Sequence, residues 1–417
     1  MKKILLLNLL FIGSLFSQDY YYEKYAPFDE NIKSPEEFLG YPIGEMQTRH
    51  DLIVSYMEYL SNVSDKAQIM HYGETYEKRK LVILAISSSD KILELEKIRE
   101  NHISYLNPEH PNYLEESKPE DLPVIINLAY SVHGNEPSTS EAALLTAYTL
   151  IGSKSDEISK YLSESIILID PTLNPDGRDR HTHWVNTYKG SPLVDDPQDA
   201  EHNEYWPGGR TNHYWFDLNR DWYLGIHPES RSKLKWYHSW KPNVTADFHE
   251  MGTNSTYFFV PFKPNGSLNP VIPKENYEYF NFLFGSYFAE ALDEIGTLYF
   301  TREIFDRTYP GYGSAYPDYL GGIGLLFEQA SSRGFKQKTQ FGEITFPFTI
   351  KNQYVSGMTT VKASVANKEK LKDYQNNFYK SAITDSSRKK VRGYIFNEGN
   401  DKNKTKAFID KLKLHDI

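Results

Sequence analysis

The chain contains no cysteine. That absence excludes a thiol nucleophile, a thiolate-bound metal, any disulfide and lipid attachment at a cysteine, and it leaves histidine and the carboxylates as the only strong metal ligands. No run of about 18 apolar residues occurs, so no stable membrane insertion is expected. Excess positive charge is missing too: 46 Lys and Arg stand against 56 Asp and Glu, a net charge of −10. Nucleic acid and anionic membrane surfaces are therefore not expected partners. Neither a fixed-period repeat nor a low-complexity tract is visible.

What is present is a globular composition. The 417 residues are 39% hydrophobic and include 32 Tyr, 23 Phe and 6 Trp, enough to bury a large core. At the N-terminus, Met1-Lys2-Lys3, an apolar stretch from Ile4 to Phe16 and then Ser17-Gln18 follow the charged, apolar, small-residue order of a signal peptide. Cleavage is expected near Ser17, with export to a periplasm, cell surface or extracellular medium. The expected organisation is a signal peptide over 1–17, an irregular Tyr-rich lead-in over 18–44, a catalytic domain over 45–380, and over 381–417 the start of a further α/β unit. A lone strand (Lys389 to Phe396) and helix (Ala407 to Leu414) cannot bury a core, so this last piece is expected either to belong to a longer protein or to pack on the main domain.

Leu52, Ile53, Tyr56, Met57 and Leu60 recur at helical spacing, and Leu81 to Ile86 reads as a buried strand. A polar, proline-punctuated connection follows over 107–119, after which strands and helices alternate. Four short apolar runs, Val124 to Ala129, Ile166 to Ile169, Val244 to Phe248 and Ile323 to Phe327, each read as a buried strand. Polar groups follow each: His133 and Glu136, Asn174-Pro175-Asp176-Gly177, His249, and Glu328. Open α/β sheets place their sites at the carboxyl ends of strands, so convergence of these groups is expected. Ser138-Thr139-Ser140-Glu141 reads as a capping box opening a helix, and a second long helix is expected from Tyr277 to Ile295.

His133-x-x-Glu136 supplies an imidazole and a carboxylate from one turn, and His249 a third ligand, leaving a position open for water. His249-Glu250 is not a His-Glu-x-x-His helix, because position 253 is Thr. His181-x-His183 could bind metal from a strand, but Arg178 and Arg180 beside it disfavour a cation. Glu328 ends an apolar strand, where burial raises a carboxyl pKa and a nearby cation lowers it, a balance suited to general base and acid work. Asn219-Arg220 pairs an amide with a planar fork of donors that suits a carboxylate. Arg178 and Arg180 are candidates for stabilising an oxyanion.

Together these motifs, in this order, resemble the zinc carboxypeptidase (carboxypeptidase A-like) family, most closely its bacterial exported members with extra C-terminal domains. The resemblance covers about residues 45 to 380. It implies a three-layer α/β/α sandwich with a mixed, mostly parallel eight-stranded sheet, and one Zn²⁺ per chain on His133, Glu136 and His249. It further implies Glu328 as the residue that activates water, Arg180 on the carbonyl oxygen, and Asn219 and Arg220 on the terminal carboxylate of a peptide or protein substrate. A tyrosine closing over substrate is implied at Tyr309, with Tyr312 as rival. Ala315 falls where the C-terminal side chain is selected, which points to an apolar or aromatic preference. Glu250, directly after the third ligand, departs from the family pattern. The rival readings are a zinc-dependent deacylase or amidase, an endopeptidase, and a non-catalytic peptide-binding relative on the same scaffold.

Overall fold

Runs of β-branched and other apolar residues become the strands of one eight-stranded sheet. A computed structural model describes residues 20–107, 122–391, 393–396 and 398–417; the expected signal segment and most of the expected 107–119 connection lie outside them. The strands are β1 (Ala67–Glu74), β2 (Lys80–Ile86), β3 (Val124–Tyr130), β4 (Ser165–Asp170), β5 (Val244–Met251), β6 (Tyr257–Phe259), β7 (Tyr299–Phe300) and β8 (Ile323–Ala330). Their spatial order is β1-β2-β4-β3-β5-β8-β6-β7. The central strands β4, β3, β5 and β8 run parallel, while β1, β2 and β6 make the antiparallel joins of a mixed sheet.

Alternating side chains of the central strands serve two different cores, as the two-residue period of a strand requires. Ile126, Leu128 and Tyr130 pack with helices α1 (His50–Val63), α2 (Pro137–Gly152), α5 (Asn281–Glu294) and α6 (Phe346–Ala366). Ile125, Ile166 and Leu168 pack on the other face with Leu234, Trp236 and Trp240 of α4 (Pro228–Trp240). This is the expected α/β/α sandwich. Helix α3 (Pro175–Tyr188) follows β4 directly, its first turn opened by Pro175 and capped by Asn174, whose side chain accepts from Gly177 N.

Two local expectations fail, at Ser138 and over 389–396, and two others gain detail. The lead-in carries only short helical turns, among them Glu23–Tyr25 and Pro35–Leu39, in otherwise irregular chain, yet Tyr21, Tyr22 and Tyr25 are buried in the main core, and Tyr22 packs edge-on against Tyr148 of α2. The capping box at Ser138 does not form, because α2 begins two residues earlier than such a cap requires, at Pro137 with Glu136 as its cap residue, and Glu141 is drawn away to Thr48 N and Arg178. Residues 393–396 and Lys389 to Val391 form no strand; helix α7 (Lys368–Arg388) runs straight across position 380. Helix α8 (Lys402–Leu414) packs on the main domain, one of the two expected outcomes: Leu414 lies against the α4 core, the Tyr316 hydroxyl is 2.6 Å from His415 Nδ1, and Asp416 is 3.1 Å from His238 Nδ1. No helix among the described residues is long and apolar enough to cross a membrane.

Candidate active site

The site grows from the carboxyl ends of β3, β5 and β8. After β3 the chain turns sharply, with Ser131 at φ 58°, and carries His133 and Glu136 into the start of α2. Gly134 is obligatory there, since a Cβ would stand 2.1 Å from Arg178 N, so only glycine lets this turn rest on the first turn of α3. In the ladder between β5 and β8, His249 sits directly across from Glu328. A ligand and a carboxyl are thus fixed side by side by sheet register, the most rigid support the fold offers.

Three side chains converge. His133 Nδ1 lies 2.7 Å from Glu136 Oε1, His249 Nδ1 lies 3.0 Å from Glu136 Oε2, and the two Nδ1 atoms are 3.2 Å apart. All three residues are buried. Their donor atoms fall within 4.8 Å of one another, and the far ring nitrogens are directed outward: His133 Nε2 to Asp217 Oδ1 at 2.9 Å, His249 Nε2 to Asp247 Oδ2 at 2.9 Å. The Asp217 carboxylate holds the proton on His133 Nε2 and leaves Nδ1 free to ligate, the Asn219 amide nitrogen also lies 3.2 Å from His249 Nε2, and this donor set fits a single Zn²⁺. Burial pushes the Glu328 carboxyl up to about 8, with the Glu136 charge adding to the rise and the His249 charge opposing it. Burial also works against ionised Glu136, yet the two imidazoles hold it well below the usual carboxylate range.

A cleft of about 340 Å³ opens over these residues, and its walls carry Arg210, Asn219, Arg220, Tyr312, Ser314 and Leu326. Asn219 is held by Gly313 N donating to its Oδ1 at 2.7 Å, and the Arg220 guanidinium lies 4.8 Å from the centre of the Tyr312 ring. Both residues of the expected carboxylate clamp therefore reach the cleft.

Other expectations fail. Arg180 is turned to the loop after α3, donating to the carbonyls of Gly208, Thr211 and Asn212, and Arg178 is a buried partner of Glu141 at 2.7 Å. Neither lines the cleft. The cation beside the ligands is Arg210, 3.7 Å from Glu136 Oε1 and 2.9 Å from Asp217 Oδ2. A reading centred on the Asn-Pro-Asp-Gly turn missed it; its position seven residues before Asp217, just after Gly208-Gly209, was the available signal. Tyr309 donates its hydroxyl to Arg220 O at 2.9 Å, and its rival Tyr312 is the tyrosine in the cleft. Ala315 is wholly buried behind the wall, and Ser314, its neighbour in a turn closed by the Ala315 and Tyr316 amides on Tyr312 O, takes the lining position. His181 and His183 lie on helix α3, not on a strand, so two residues apart they diverge; His181 pairs with Glu204 at 3.1 Å. Glu250 reaches the cleft edge but is tied down by Ser138 N at 2.8 Å and by the Ser138 and Ser331 hydroxyls.

A second cluster, Glu77, Asp176 and His213, also brings ligand-type atoms within 4.8 Å. Arg79 fills it, with Nη1 2.8 Å from Asp176 and Nε 2.7 Å from Asp179.

Two histidines and a glutamate around a coordination site, with a carboxyl of raised pKa and open cleft beside it, define a hydrolytic metal centre of the catalytic kind. The sequence profile of the family described as zinc carboxypeptidase matches residues 53–281. The chain belongs to this zinc-dependent metallopeptidase family. The matched span holds His133, Glu136, Asn219, Arg220 and His249. Among solved structures the chain is similar to carboxypeptidase A from Helicoverpa armigera, at 15% identity over 86% of this chain and 81% of that one, with a TM-score of 0.51. It is also similar to a metallo-carboxypeptidase from Burkholderia cenocepacia, at 14% identity over 75% and 68% of the two chains, with a TM-score of 0.47. The Helicoverpa likeness shows the fold. No curated protein matches the sequence.

Proposed function

We propose that this protein is an exported metallocarboxypeptidase, holding one Zn²⁺ on His133, Glu136 and His249 and cleaving peptide bonds at or near a free C-terminus. The observation that carries this reading is the placing of two guanidinium groups, Arg210 and Arg220, in the same cleft as the His₂Glu set and Glu328. The bound ion supplies Lewis acidity at the scissile carbonyl. Glu328 takes the proton of the attacking water and returns it to the leaving amine. Arg210, anchored by Asp217, faces the region where negative charge develops on the carbonyl oxygen. Arg220 and Asn219 bind the terminal carboxylate, and Tyr312, packed on Arg220, covers it. Ser314 and Leu326 replace Ala315 as the residues that meet the C-terminal side chain. Export is supported by the order of charged, apolar and small residues over 1–17.

The test is metal content of the purified, tag-free protein followed by hydrolysis of matched peptides with free and amidated C-termini. One zinc per chain and chelator-sensitive release of C-terminal residues are expected, and Arg220→Ala should cut kcat/KM on free acids roughly 100-fold more than on amides. Equal losses on both would instead favour the endopeptidase or amidase reading.

A further inference from the structure

The end of α8 reaches both segments that carry the carboxylate clamp. Asn219 and Arg220 come from segment 217–225, and Tyr312 and Ser314 from segment 309–316. Neither segment belongs to the sheet, so each is placed by the bonds its loop makes. Three of those bonds join the two segments directly: Gly313 N donates to Asn219 Oδ1 at 2.7 Å, the Tyr309 hydroxyl to Arg220 O at 2.9 Å, and Trp222 N to Gly311 O at 3.3 Å. The Arg220 side chain is half exposed, donating to Asn219 O at 2.9 Å and lying on the Tyr312 ring. Its guanidinium is therefore aimed by the backbone on which it and Tyr312 stand.

His415 joins the same two segments away from the cleft, which neither it nor Tyr223 nor Tyr316 lines. Its Nε2 lies 2.8 Å from Tyr223 O, its Nδ1 lies 2.6 Å from the Tyr316 hydroxyl, and its ring stacks on that of Tyr223 at 6.0 Å between centroids. A carbonyl only accepts, so Nε2 carries the proton and Nδ1 accepts from the tyrosine. The Tyr316 oxygen in turn accepts from His238 Nε2 of α4 at 2.7 Å. Tyr316 N donates to Tyr312 O at 2.9 Å, so the residue bound by His415 also holds the residue on which Arg220 lies. Three further contacts seat the helix end. Lys411 donates to Leu224 O and, at 3.3 Å, to Gly225 O; Asp416 pairs with His238; and Leu414 packs so close to Gly225 that a Cβ there would stand 2.6 Å from it. None of these groups takes part in the chemistry proposed above.

We infer that His415 is a positioning residue for binding of the substrate carboxylate, a brace that fixes the Arg220 segment against the Tyr312 segment through Tyr223 and Tyr316. This rests on the function proposed above. The test is steady-state kinetics of the full-length zinc enzyme on a free-acid peptide, run as a double-mutant cycle with Arg220. His415→Ala should raise KM about 10-fold, the rough worth of two hydrogen bonds, and change kcat by less than about 2-fold. In an Arg220→Ala background the same change should have almost no further effect, because the group it positions is gone. An unchanged KM, a fall in kcat at constant KM, or effects that multiply in the double variant overturn the inference. If no free C-terminus is cleaved, the function falls, and the brace is judged separately by backbone amide exchange in zinc-loaded protein. His415→Ala should then speed exchange at Trp222 and Gly313 by about 10-fold and leave the amides of β3 unchanged. Unaltered exchange at Trp222 and Gly313, or equal acceleration in β3, overturns the inference.

Discussion

Among the described residues two clusters of three ligand-type side chains occur, two histidines and a glutamate in one and a glutamate, an aspartate and a histidine in the other, and only the first leaves its centre open to a metal. At His133, Glu136 and His249 the outer ring nitrogens are taken by Asp217 and Asp247 and the inner atoms face a cleft. At Glu77, Asp176 and His213 the guanidinium of Arg79 occupies the centre and neutralises the carboxylates. A count of ligand-type residues cannot tell these apart. What separates them is whether the charge of the cluster is already balanced by a resident side chain, and whether substrate can approach.

The largest effect should come from Glu328→Gln, which keeps zinc and lowers kcat by about 10³-fold or more, while His249→Ala loses zinc and activity together. Near-normal turnover in the glutamine variant would sink the assigned mechanism. Next come the two arginines. Arg210→Ala should lower kcat/KM about 10²- to 10³-fold with little change in thermal midpoint, as expected for loss of an oxyanion donor. Arg180→Ala should instead lower the thermal midpoint and change kcat/KM far less; the reverse pattern would return the role to Arg180.

The second cluster is probed through Arg79→Ala. Asp176 is wholly buried, so stripping its cation should cost about 3 kcal/mol of stability in denaturant melts. Wild-type zinc should stay at one equivalent when excess zinc is dialysed away; two tightly held ions would break the comparison between the clusters. The smallest effect concerns pH. In metal-free protein the Glu328 carboxyl is raised to about 8, above its unfolded value, so its contribution to stability is fully present below about pH 4.5 and is lost as pH rises through 8. Chelator-treated wild type should therefore lose more stability from pH 5 to pH 8 than Glu328→Gln does. In the zinc enzyme the cation lowers this pKa, so the acid limb of kcat/KM should fall below 8.

Particular residues show how far the linear chain could be read. His133, Glu136, His249 and Glu328 were legible because each follows a short apolar run, and a strand buried on both faces has a period and length that survive in one dimension. Asn219 and Arg220 were legible as a motif, and both reach the cleft. That Arg210 and not Arg180 turns to the cleft was not legible, since Arg180 on α3 is drawn away by carbonyls at Gly208, Thr211 and Asn212 that converge on it only after folding. Tyr309 against Tyr312, and Ala315 against Ser314, were decided by contacts across the fold, with the Tyr309 hydroxyl taken by Arg220 O and Ala315 buried. The fate of the last helix was likewise hidden, because Tyr316 and His238, which bind its end, are 99 and 178 residues away from His415 and Asp416 respectively.

By itself, then, the amino-acid order determined the alternating α/β pattern, the absence of thiol chemistry and the residues able to ligate zinc, because these depend on local periodicity and side-chain type. Only the tertiary structure decided which arginine serves the cleft and which cluster of ligand-type side chains stays open to a metal. Those outcomes depend on charge balance and side-chain direction among segments that meet through the sheet, and sequence distance carries no information about either.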